Sequence, residues 1–220
     1  MSRNIAIDGP AGAGKSTIAK IVAKNLGYIY VDTGAMYRAM AYYLLQKQVP
    51  VDDADAMAKA CQDADISIEY QNNEQVVLLN GENVNAYLRT EEVGNMASVS
   101  STNGDVRKKL VELQQKLAKT TNVVMDGRDI GTCVLPEAEV KIYLTASSAV
   151  RAKRRYDELI AKGQSADLDK IEADIIERDN RDMTREISPL KQADDAILVD
   201  SSYMTIQEVA DKIMEINGSK

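Results

Sequence analysis

The sequence contains no histidine, phenylalanine or tryptophan, and it has only two cysteines in 220 residues. The absence of histidine excludes any reaction that uses an imidazole as its general base. It also excludes a zinc site built from cysteine and histidine, because Cys61 and Cys133 are too few ligands. We therefore expect two free thiols in a reducing compartment, and a chemistry that uses carboxylates or needs little acid–base help.

Long apolar runs and an excess of positive charge are also missing. No stretch approaches the ~20 apolar residues of a membrane-spanning helix, and a strand-like run begins near residue 3, which leaves no room for a signal peptide. The net charge of −7 is opposite in sign to that of most nucleic-acid-binding proteins. We expect a cytoplasmic monomer without a membrane or nucleic-acid partner.

Apolar runs alternate with segments of helical spacing along most of the chain. The pattern predicts strands at residues 3–8, 27–32, 122–127, 139–146 and 196–202. It predicts helices from residue 33 and at residues 15–26, 52–62, 105–119, 147–161, 168–185 and 205–216. This alternation is typical of an α/β fold in which helices cover a parallel core sheet.

Residues 65–90 differ from the rest of the chain. The run "DISIEY" alternates apolar and polar residues, "EQVVLLN" is rich in β-formers, and "QNN" stands between them. The Asn80-Gly81 pair that follows is a strong hairpin signal, because both residues tolerate a positive φ. The segment is therefore predicted to form a small antiparallel three-strand insert that closes near Val84.

The segment "DGPAGAGKST" at residues 8–17 carries the clearest chemical signal. It fits G-x-x-x-x-G-K-[ST] between a predicted strand and a predicted helix, the arrangement in which backbone N–H groups surround phosphate oxygens. In this loop Lys15 reaches the β- and γ-phosphates of a nucleotide and Ser16 can ligate Mg²⁺. The alternative is a glycine-rich turn without a ligand. The predicted ATP-binding residues are Gly9, Pro10, Ala11, Gly12, Ala13, Gly14, Lys15, Ser16 and Thr17.

The loop alone leaves the use of the nucleotide open. A guanine-specific N-K-x-D and a transporter-type L-S-G-G-Q are both missing from the sequence. What remains is mainly small-molecule kinases, together with mechanical ATPases.

Two further motifs follow predicted strands. "DTGAMYR" at residues 32–38 starts a helix that Asp32 or Thr33 can cap, and Arg38 lies one turn inside it, an unusual position unless an anion is near. "MDGRDIGT" at residues 125–132 places two aspartates and an arginine at the carboxyl end of a strand, where open α/β sheets bind ligands. A surface arginine and a capped turn are the respective alternatives.

A third motif, "ERDNRDMTR" at residues 177–185, lies on a predicted helix. Arg178, Asp182 and Arg185 share one stripe of that helix, and the preceding helix carries a second stripe of arginines, at positions 151, 154 and 155. Two such helices can close over a polyphosphate as a lid. The alternative is a solvated face with ion pairs such as Glu177 with Arg181.

Taken together, "DGPAGAGKST", "DTGAMYR", "DGRDIGT" and "ERDNRDMTREISPL" resemble bacterial cytidylate kinase, a P-loop nucleoside monophosphate kinase, in the same order and with similar spacing. The resemblance runs from about residue 4 to residue 216 and includes the insert at 65–90. It implies transfer of the γ-phosphoryl group of ATP to CMP or dCMP with the help of Mg²⁺. Thr33 stands where some members of the family have serine, which preserves the hydroxyl.

The resemblance also implies a role for each candidate residue. Acceptor-phosphate binding falls to Arg38, Arg128 and Arg185, ribose binding to Arg178 and Asp182, and cytosine recognition to Ser98, Arg107 and Asp129. Thr33 and Tyr37 belong to the same substrate-binding set. Arg151, Arg154 and Arg155 would belong to the lid. Catalytic roles fall to Lys15, Arg128, Arg185, Arg154 and Arg155; Asp126 would hold Mg²⁺ through water.

The expected organisation is a single kinase domain with three parts. The core comprises about 1–32, 105–146 and 186–220, the monophosphate-binding part about 33–104, and the lid about 147–185. Two other functions stay open: a P-loop kinase with UMP, AMP or shikimate as acceptor, and a non-catalytic ATP-dependent switch module.

Overall fold

The structure is a computed structural model that describes residues 3–71 and 74–219. Its strands are β1 (Asn4–Asp8), β2 (Ile29–Asp32), β3 (Ile66–Gln71), β4 (Glu74–Leu79), β5 (Glu82–Asn83), β6 (Val123–Gly127), β7 (Val140–Thr145) and β8 (Ile197–Asp200). Its helices are α1 (Lys15–Leu26), α2 (Thr33–Gln46), α3 (Ala54–Gln62), α4 (Glu91–Ser100), α5 (Gly104–Thr120), α6 (Ser148–Ala161), α7 (Leu168–Thr184) and α8 (Ile206–Gly218).

Contacts within the chain define two compact units. One unit is Ile29–Asn122, which we call the insert unit because it contains β3 to β5. The other combines Arg3–Tyr28 with the chain from residue 123 onward, and we call it the loop unit because it contains the phosphate loop. The predicted division into core, monophosphate-binding part and lid stays a prediction.

In the loop unit, strands β6, β1, β7 and β8 lie side by side and run parallel. The registers place Asp8 opposite both Gly127 and Tyr143, so the carboxyl ends of β1 and β6 coincide. Ile5, Ile7, Val124 and Leu144 are fully buried, as expected of strands covered on both faces. The predicted α/β fold with a parallel core sheet is confirmed.

In the insert unit, β3, β4 and β5 form an antiparallel sheet in that order. The predicted three-strand insert is therefore confirmed; residues 72 and 73, which belong to the segment QNN, lie outside the described residues. Strand β4 packs against α2, and α2 also packs against α4. The fully buried Met36, Met40 and Leu44 supply the core on the α2 side.

Two elements were not predicted from the sequence. Helix α4 contains Gly94 and several serines and valines, which are weak helix formers, but the Thr90 side chain caps it and Val93, Met96 and Ala97 are buried. The second is a π-helical turn at Ile130–Val134, directly after Asp129. Both were missed because packing and remote hydrogen bonds, rather than local propensity, stabilise them.

Two features expected from composition can be compared with the structure. Cys61 and Cys133 are free thiols, which confirms the expected pairing state. None of the helices within residues 3–71 and 74–219 combines the length and the apolar composition needed to cross a bilayer.

Candidate active site

The predicted phosphate loop joins the carboxyl end of β1 to the first turn of α1, as the motif requires. Gly9 has a φ of 148°, and a Cβ at this position would lie 1.9 Å from the carbonyl oxygen of Leu144. No side chain can therefore be accommodated there, and the loop leaves the sheet in close contact with β7. Helix α1 then begins after Gly14, which leaves its first N–H groups available to an anion.

The Lys15 side chain folds back over this loop. Its Nζ donates a hydrogen bond of 2.7 Å to the carbonyl oxygen of Pro10, and the residue is only 5% exposed. Burial, followed by repulsion from Arg128, lowers the pKa of Lys15 to about 7, although Asp126 and Asp8 act in the opposite direction. The loop thus holds an ammonium group in a dry position where a phosphate anion would strongly favour its charged form.

The candidate metal ligands lie beside Lys15. The Ser16 Oγ donates to Asp126 Oδ2 over 2.9 Å, and Asp126 is nearly buried at the end of β6. A hydroxyl and a carboxylate are the hard oxygen ligands that Mg²⁺ prefers. Within the described residues no cluster of three or more acidic, histidine or cysteine side chains could hold a metal alone. The pair therefore fits Mg²⁺ that takes its other ligands from phosphates and water.

Buried side chains of α6 and α7 hold the phosphate loop at Ala11. Arg151 donates to the Ala11 carbonyl oxygen over 2.8 Å and to the Ala146 carbonyl oxygen over 2.9 Å. Asp179 accepts a 3.4 Å hydrogen bond from the Ala11 N–H and forms a 2.6 Å ion pair with Arg151. One charged pair therefore fixes both backbone groups of a single loop residue.

The stripe of arginines predicted on α6 has three different environments. Arg151 is buried at the loop, whereas Arg154 donates to the Ser201 carbonyl oxygen over 2.7 Å. Arg155 is half exposed and pairs with Glu158 over 2.9 Å. A shared role of Arg151, Arg154 and Arg155 in a lid stays a prediction.

The candidate acceptor-binding residues of the loop unit form two ion pairs. Arg128 Nε lies 2.7 Å from Asp182 Oδ2, and Arg185 Nη2 lies 3.6 Å from Asp129 Oδ1. Burial acts to raise the pKa of Asp182, but the charges of Arg128, Arg178 and Arg185 and the hydrogen bond from Arg128 hold it below its usual range. The structure thus brings the motif after β6 together with the motif at the end of α7.

The candidate residues of the insert unit begin at the start of α2. The Asp32 carboxylate caps this helix by accepting from the Ala35 N–H, and its other oxygen lies 3.2 Å from Arg38 Nη2. Of the two capping residues considered, Asp32 is the one that caps, and Thr33 is buried as the first helical residue. Among the described residues, the buried Nε of Arg38 has no hydrogen-bond partner.

Two further candidates lie together in the same unit. The Arg107 guanidinium is 5.6 Å from the centre of the Tyr37 ring, within the range of a cation–π contact. Arg107 also donates to the Ser101 carbonyl oxygen over 3.3 Å and is only 3% exposed. Ser98 is nearly buried on α4, the helix that packs against α2.

Three polar residues of the site were missed from the sequence. Asp179 holds the loop as described above, and Asp8 accepts from the Ile130 and Gly131 N–H groups. Gln75 accepts from the Asp32 N–H and donates to the Asp32 carbonyl oxygen. Asp8 and Asp179 are acidic residues inside the quoted motifs, and that position was the signal that could have found them. Gln75 lies in an ordinary β-rich run and gave no signal.

The profile of the family described as Cytidylate kinase matches residues 5–218. The chain belongs to the cytidylate kinase family. The cytidylate kinase of Bacillus subtilis (strain 168) is 49% identical over 212 residues, which cover 96% of this chain and 95% of the relative. Those of Ligilactobacillus salivarius (strain UCC118) and Geobacillus sp. (strain WCH70) are 52% and 51% identical, with the same coverage. The resemblance indicated by the four motifs is confirmed.

Solved structures of lower sequence similarity share the fold. An uncharacterized protein from Eubacterium ventriosum ATCC 27560 has a TM-score of 0.55 at 13% identity, over the full length of both chains. A gluconokinase from Sinorhizobium meliloti 1021 has a TM-score of 0.50 at 13% identity, over 97% of this chain and 90% of its own. At this identity the likeness shows the fold alone.

Proposed function

We propose that this chain is an ATP-dependent cytidylate kinase that transfers the γ-phosphoryl group of ATP to CMP or dCMP, giving ADP and CDP or dCDP. The observation that carries the proposal is the phosphate loop with its buried Lys15, in a chain that matches the cytidylate kinase family over residues 5–218. An ammonium group held at the loop stabilises the charge that spreads over the transferring phosphoryl group.

The acceptor chemistry explains why no histidine is needed. The second pKa of a phosphate monoester is about 6, so the acceptor oxygen is largely deprotonated at neutral pH. The protein therefore has only to position the two phosphates and neutralise their charge. In this mechanism Lys15 exchanges the Pro10 carbonyl oxygen for a phosphate oxygen of ATP, and the loop from Gly9 to Thr17 binds the remaining oxygens through its N–H groups.

Arginines bind the acceptor phosphate in this proposal. Arg38, Arg128 and Arg185 each have an aspartate partner, which keeps the guanidinium oriented. The buried Nε of Arg38 is one donor that a phosphate oxygen would satisfy. Arg178 and Asp182 bind the ribose, and the cytosine set is Ser98, Arg107 and Asp129, with Thr33 and Tyr37 beside the acceptor.

Mg²⁺ is the proposed metal, held through Ser16 and, by way of water, through Asp126. When bound, it would neutralise negative charge on the phosphates of ATP. Arg154 and Arg155 are the proposed lid residues, whose closure would exclude water as a competing acceptor. We further propose that the protein works as a cytoplasmic monomer, which its acidic composition and its free thiols favour.

A panel of acceptors tests the proposal. The purified chain is mixed with Mg·ATP and, in turn, with CMP, dCMP, UMP, AMP or shikimate, and ADP release is measured. We expect CMP and dCMP to be the best acceptors by ~10²-fold or more over UMP, because a hydrogen-bonded base site rejects a base with reversed donors and acceptors. Turnover with AMP or shikimate but not with CMP or dCMP would assign a different kinase activity. ATP hydrolysis without any acceptor would favour a switch module.

A further inference from the structure

The turn that follows Asp129 is capped by a residue from another strand. The π-helical turn Ile130–Val134 begins directly after Asp129, and the first N–H groups of such a turn need acceptors from outside it. The residue just before a helical turn usually supplies that acceptor from its own side chain. Here the Asp129 carboxylate is directed toward Arg185 Nη2 instead, at 3.6 Å.

Asp8 supplies the missing acceptors. Its Oδ1 accepts from the Ile130 N–H and its Oδ2 from the Gly131 N–H, each over 2.7 Å. The parallel pairing of β1 and β6 makes this possible, because it places Asp8 opposite Gly127, just before the Arg128-Asp129 pair. One carboxylate thus satisfies two backbone groups more than 120 residues away.

The surroundings of Asp8 show that this arrangement is closely fitted. A Cβ on Gly131 would lie 3.4 Å from Asp8 Oδ2 and 3.2 Å from Lys141 Cδ, so the turn approaches the carboxylate because Gly131 has no side chain. Asp8 is 5% exposed, and this burial raises its pKa to about 6. The two backbone hydrogen bonds and Lys15 act to lower the pKa, whereas Asp129 acts to raise it. A carboxylate is costly here, and the transfer mechanism above gives it no role.

We propose that Asp8 is a positioning residue for substrate specificity: by capping the turn in place of Asp129, it leaves the Asp129 carboxylate, beside Arg185, available to the substrate's base. The inference rests on the proposed role of Asp129 in recognising cytosine. A cytosine presents an N4 amino donor to such a carboxylate, whereas uracil presents an acceptor. If the Asp8 cap is lost, Asp129, the residue directly before the turn, takes over the capping as residues at this position usually do, and it then withdraws from the base.

Kinetics of Asp8 variants test this role. In Asp8→Ala both N–H groups lose their acceptor, and we expect kcat/KM for CMP to fall by ~10–100-fold, with a much smaller fall for UMP. The KM for ATP should stay within ~2-fold of wild type. Asp8→Asn keeps one acceptor oxygen, so its kcat/KM for CMP should lie between those of the wild type and Asp8→Ala. Asp129→Ala should narrow the CMP/UMP ratio at least as far as Asp8→Ala does.

Glu139→Gln is the matched control. Glu139 accepts a hydrogen bond from the Asn4 N–H over 2.8 Å at the opposite end of β1. The substitution therefore removes a carboxylate that binds a backbone N–H of the same strand. This variant should keep the wild-type CMP/UMP ratio. Equal losses with CMP and UMP in Asp8→Ala, accompanied by a parallel rise in the KM for ATP, would overturn the proposal and assign Asp8 to support of the phosphate loop.

A readout that does not depend on activity separates this inference from the proposed function. Hydrogen exchange of the Ile130 and Gly131 amides should be slow in the wild type and in Glu139→Gln, and faster at one or both amides in Asp8→Asn. Unchanged exchange would overturn the capping role even if the protein is an active cytidylate kinase. If CMP is no substrate while exchange responds as expected, the proposed function fails and the specificity role of the cap fails with it.

Discussion

The two units of this protein hold their candidate substrate-binding arginines in different ways. In the loop unit the partners are far apart in sequence: Arg128 pairs with Asp182 across 54 residues, and Arg185 pairs with Asp129. In the insert unit Arg38 pairs with Asp32, only six residues away and on the same helix start. The loop unit must therefore fold completely to form its site, whereas the insert unit can form part of its site from one helix.

The two units also differ in how they hold the backbone beside their candidate ligands. In the loop unit a buried ion pair, Arg151 with Asp179, binds both backbone groups of Ala11. In the insert unit a half-buried neutral side chain, Gln75, binds both backbone groups of Asp32. A buried charge without its partner costs far more than a lost neutral hydrogen bond. The first arrangement should therefore be the harder one to disturb without unfolding the protein.

Loss of one charge from the Arg151–Asp179 pair that binds Ala11 should give the largest effect on stability. Asp179→Ala leaves the Arg151 guanidinium buried without its ion-pair partner, and we expect a loss of about 3–5 kcal/mol in the free energy of unfolding. Urea denaturation followed by circular dichroism measures it. Asp157→Ala, which breaks an exposed pair with Lys153 on α6, is the control and should cost under ~0.5 kcal/mol. Similar losses of unfolding free energy in both variants would contradict the expectation that the buried ion pair is the harder arrangement to disturb.

Loss of the loop ammonium should reduce catalysis and spare the fold. Lys15→Ala is expected to lower kcat by ~10²–10³-fold, because it removes a charge that stabilises the transferring phosphoryl group. The urea midpoint should not fall, since a desolvated ammonium is removed from the interior. Lys24→Ala, on the exposed last turn of α1, is the control with near-normal turnover. A folded Lys15→Ala protein with wild-type kcat would refute the kinase mechanism.

Loss of the Gln75 side chain, which binds both backbone groups of Asp32, should give a smaller effect that is confined to binding of the acceptor. Gln75→Ala removes two hydrogen bonds to Asp32, and at about 1 kcal/mol the KM for CMP should rise by ~5–10-fold. The KM for ATP should not change. Steady-state kinetics with each substrate varied in turn provide the measurement, and the exposed neighbour Glu74→Ala is the control. A rise in both KM values would mean that Gln75 supports the fold in general.

Proton uptake on nucleotide binding should distinguish the loop unit further. The pKa of Lys15 is about 7 in the free protein, so at pH 8 most of the side chain is neutral. Phosphate charge raises the pKa, so ATP binding should take up about one proton at pH 8, falling to ~0 at pH 5.5, where both states are charged. Calorimetry in buffers of different ionisation enthalpy measures this. Lys15→Arg should show no uptake, and equal uptake in both proteins would exclude Lys15 as the source.

The exposed ion pairs of α6 should give the smallest effect. The hydrogen bonds from Lys162 and Arg155 hold the pKa of Glu158 below its usual range, but all three side chains are about half exposed. Glu158→Gln should therefore change the unfolding free energy by under ~0.5 kcal/mol at low salt, and by less at high salt. Scanning calorimetry at two salt concentrations is sufficient. A large salt-independent loss would show that this face of α6 is structurally required.

Features of the two units that depend on local sequence patterns were predictable, whereas features that depend on long-range packing were not. The strand–loop–helix around Lys15 and the three-strand insert were predicted because both depend on local patterns, glycine spacing and an Asn-Gly turn. The pairs of Arg128 with Asp182 and of Asp129 with Arg185 were foreseen only as a shared site, since their geometry depends on long-range packing. Asp8 was missed although it stands inside a motif, because its role comes from a turn far away in the chain. Gln75 and helix α4 were missed because packing and remote hydrogen bonds stabilise them, and no local signal marks them.

The helical hairpin of α6 and α7 is bonded to the rest of the loop unit at its base and is mostly exposed along the rest of its length. Arg151 and Arg154 fix the start of α6 to Ala11 and Ser201, and Asp179 and Asp182 fix the end of α7 to Arg151 and Arg128. Between these anchors most side chains are exposed. A swinging movement of the hairpin would therefore pivot beyond Arg154, and its tip could travel while the residues at the loop stay still. Substrate capture by such a hairpin would need no rearrangement of the phosphate loop itself.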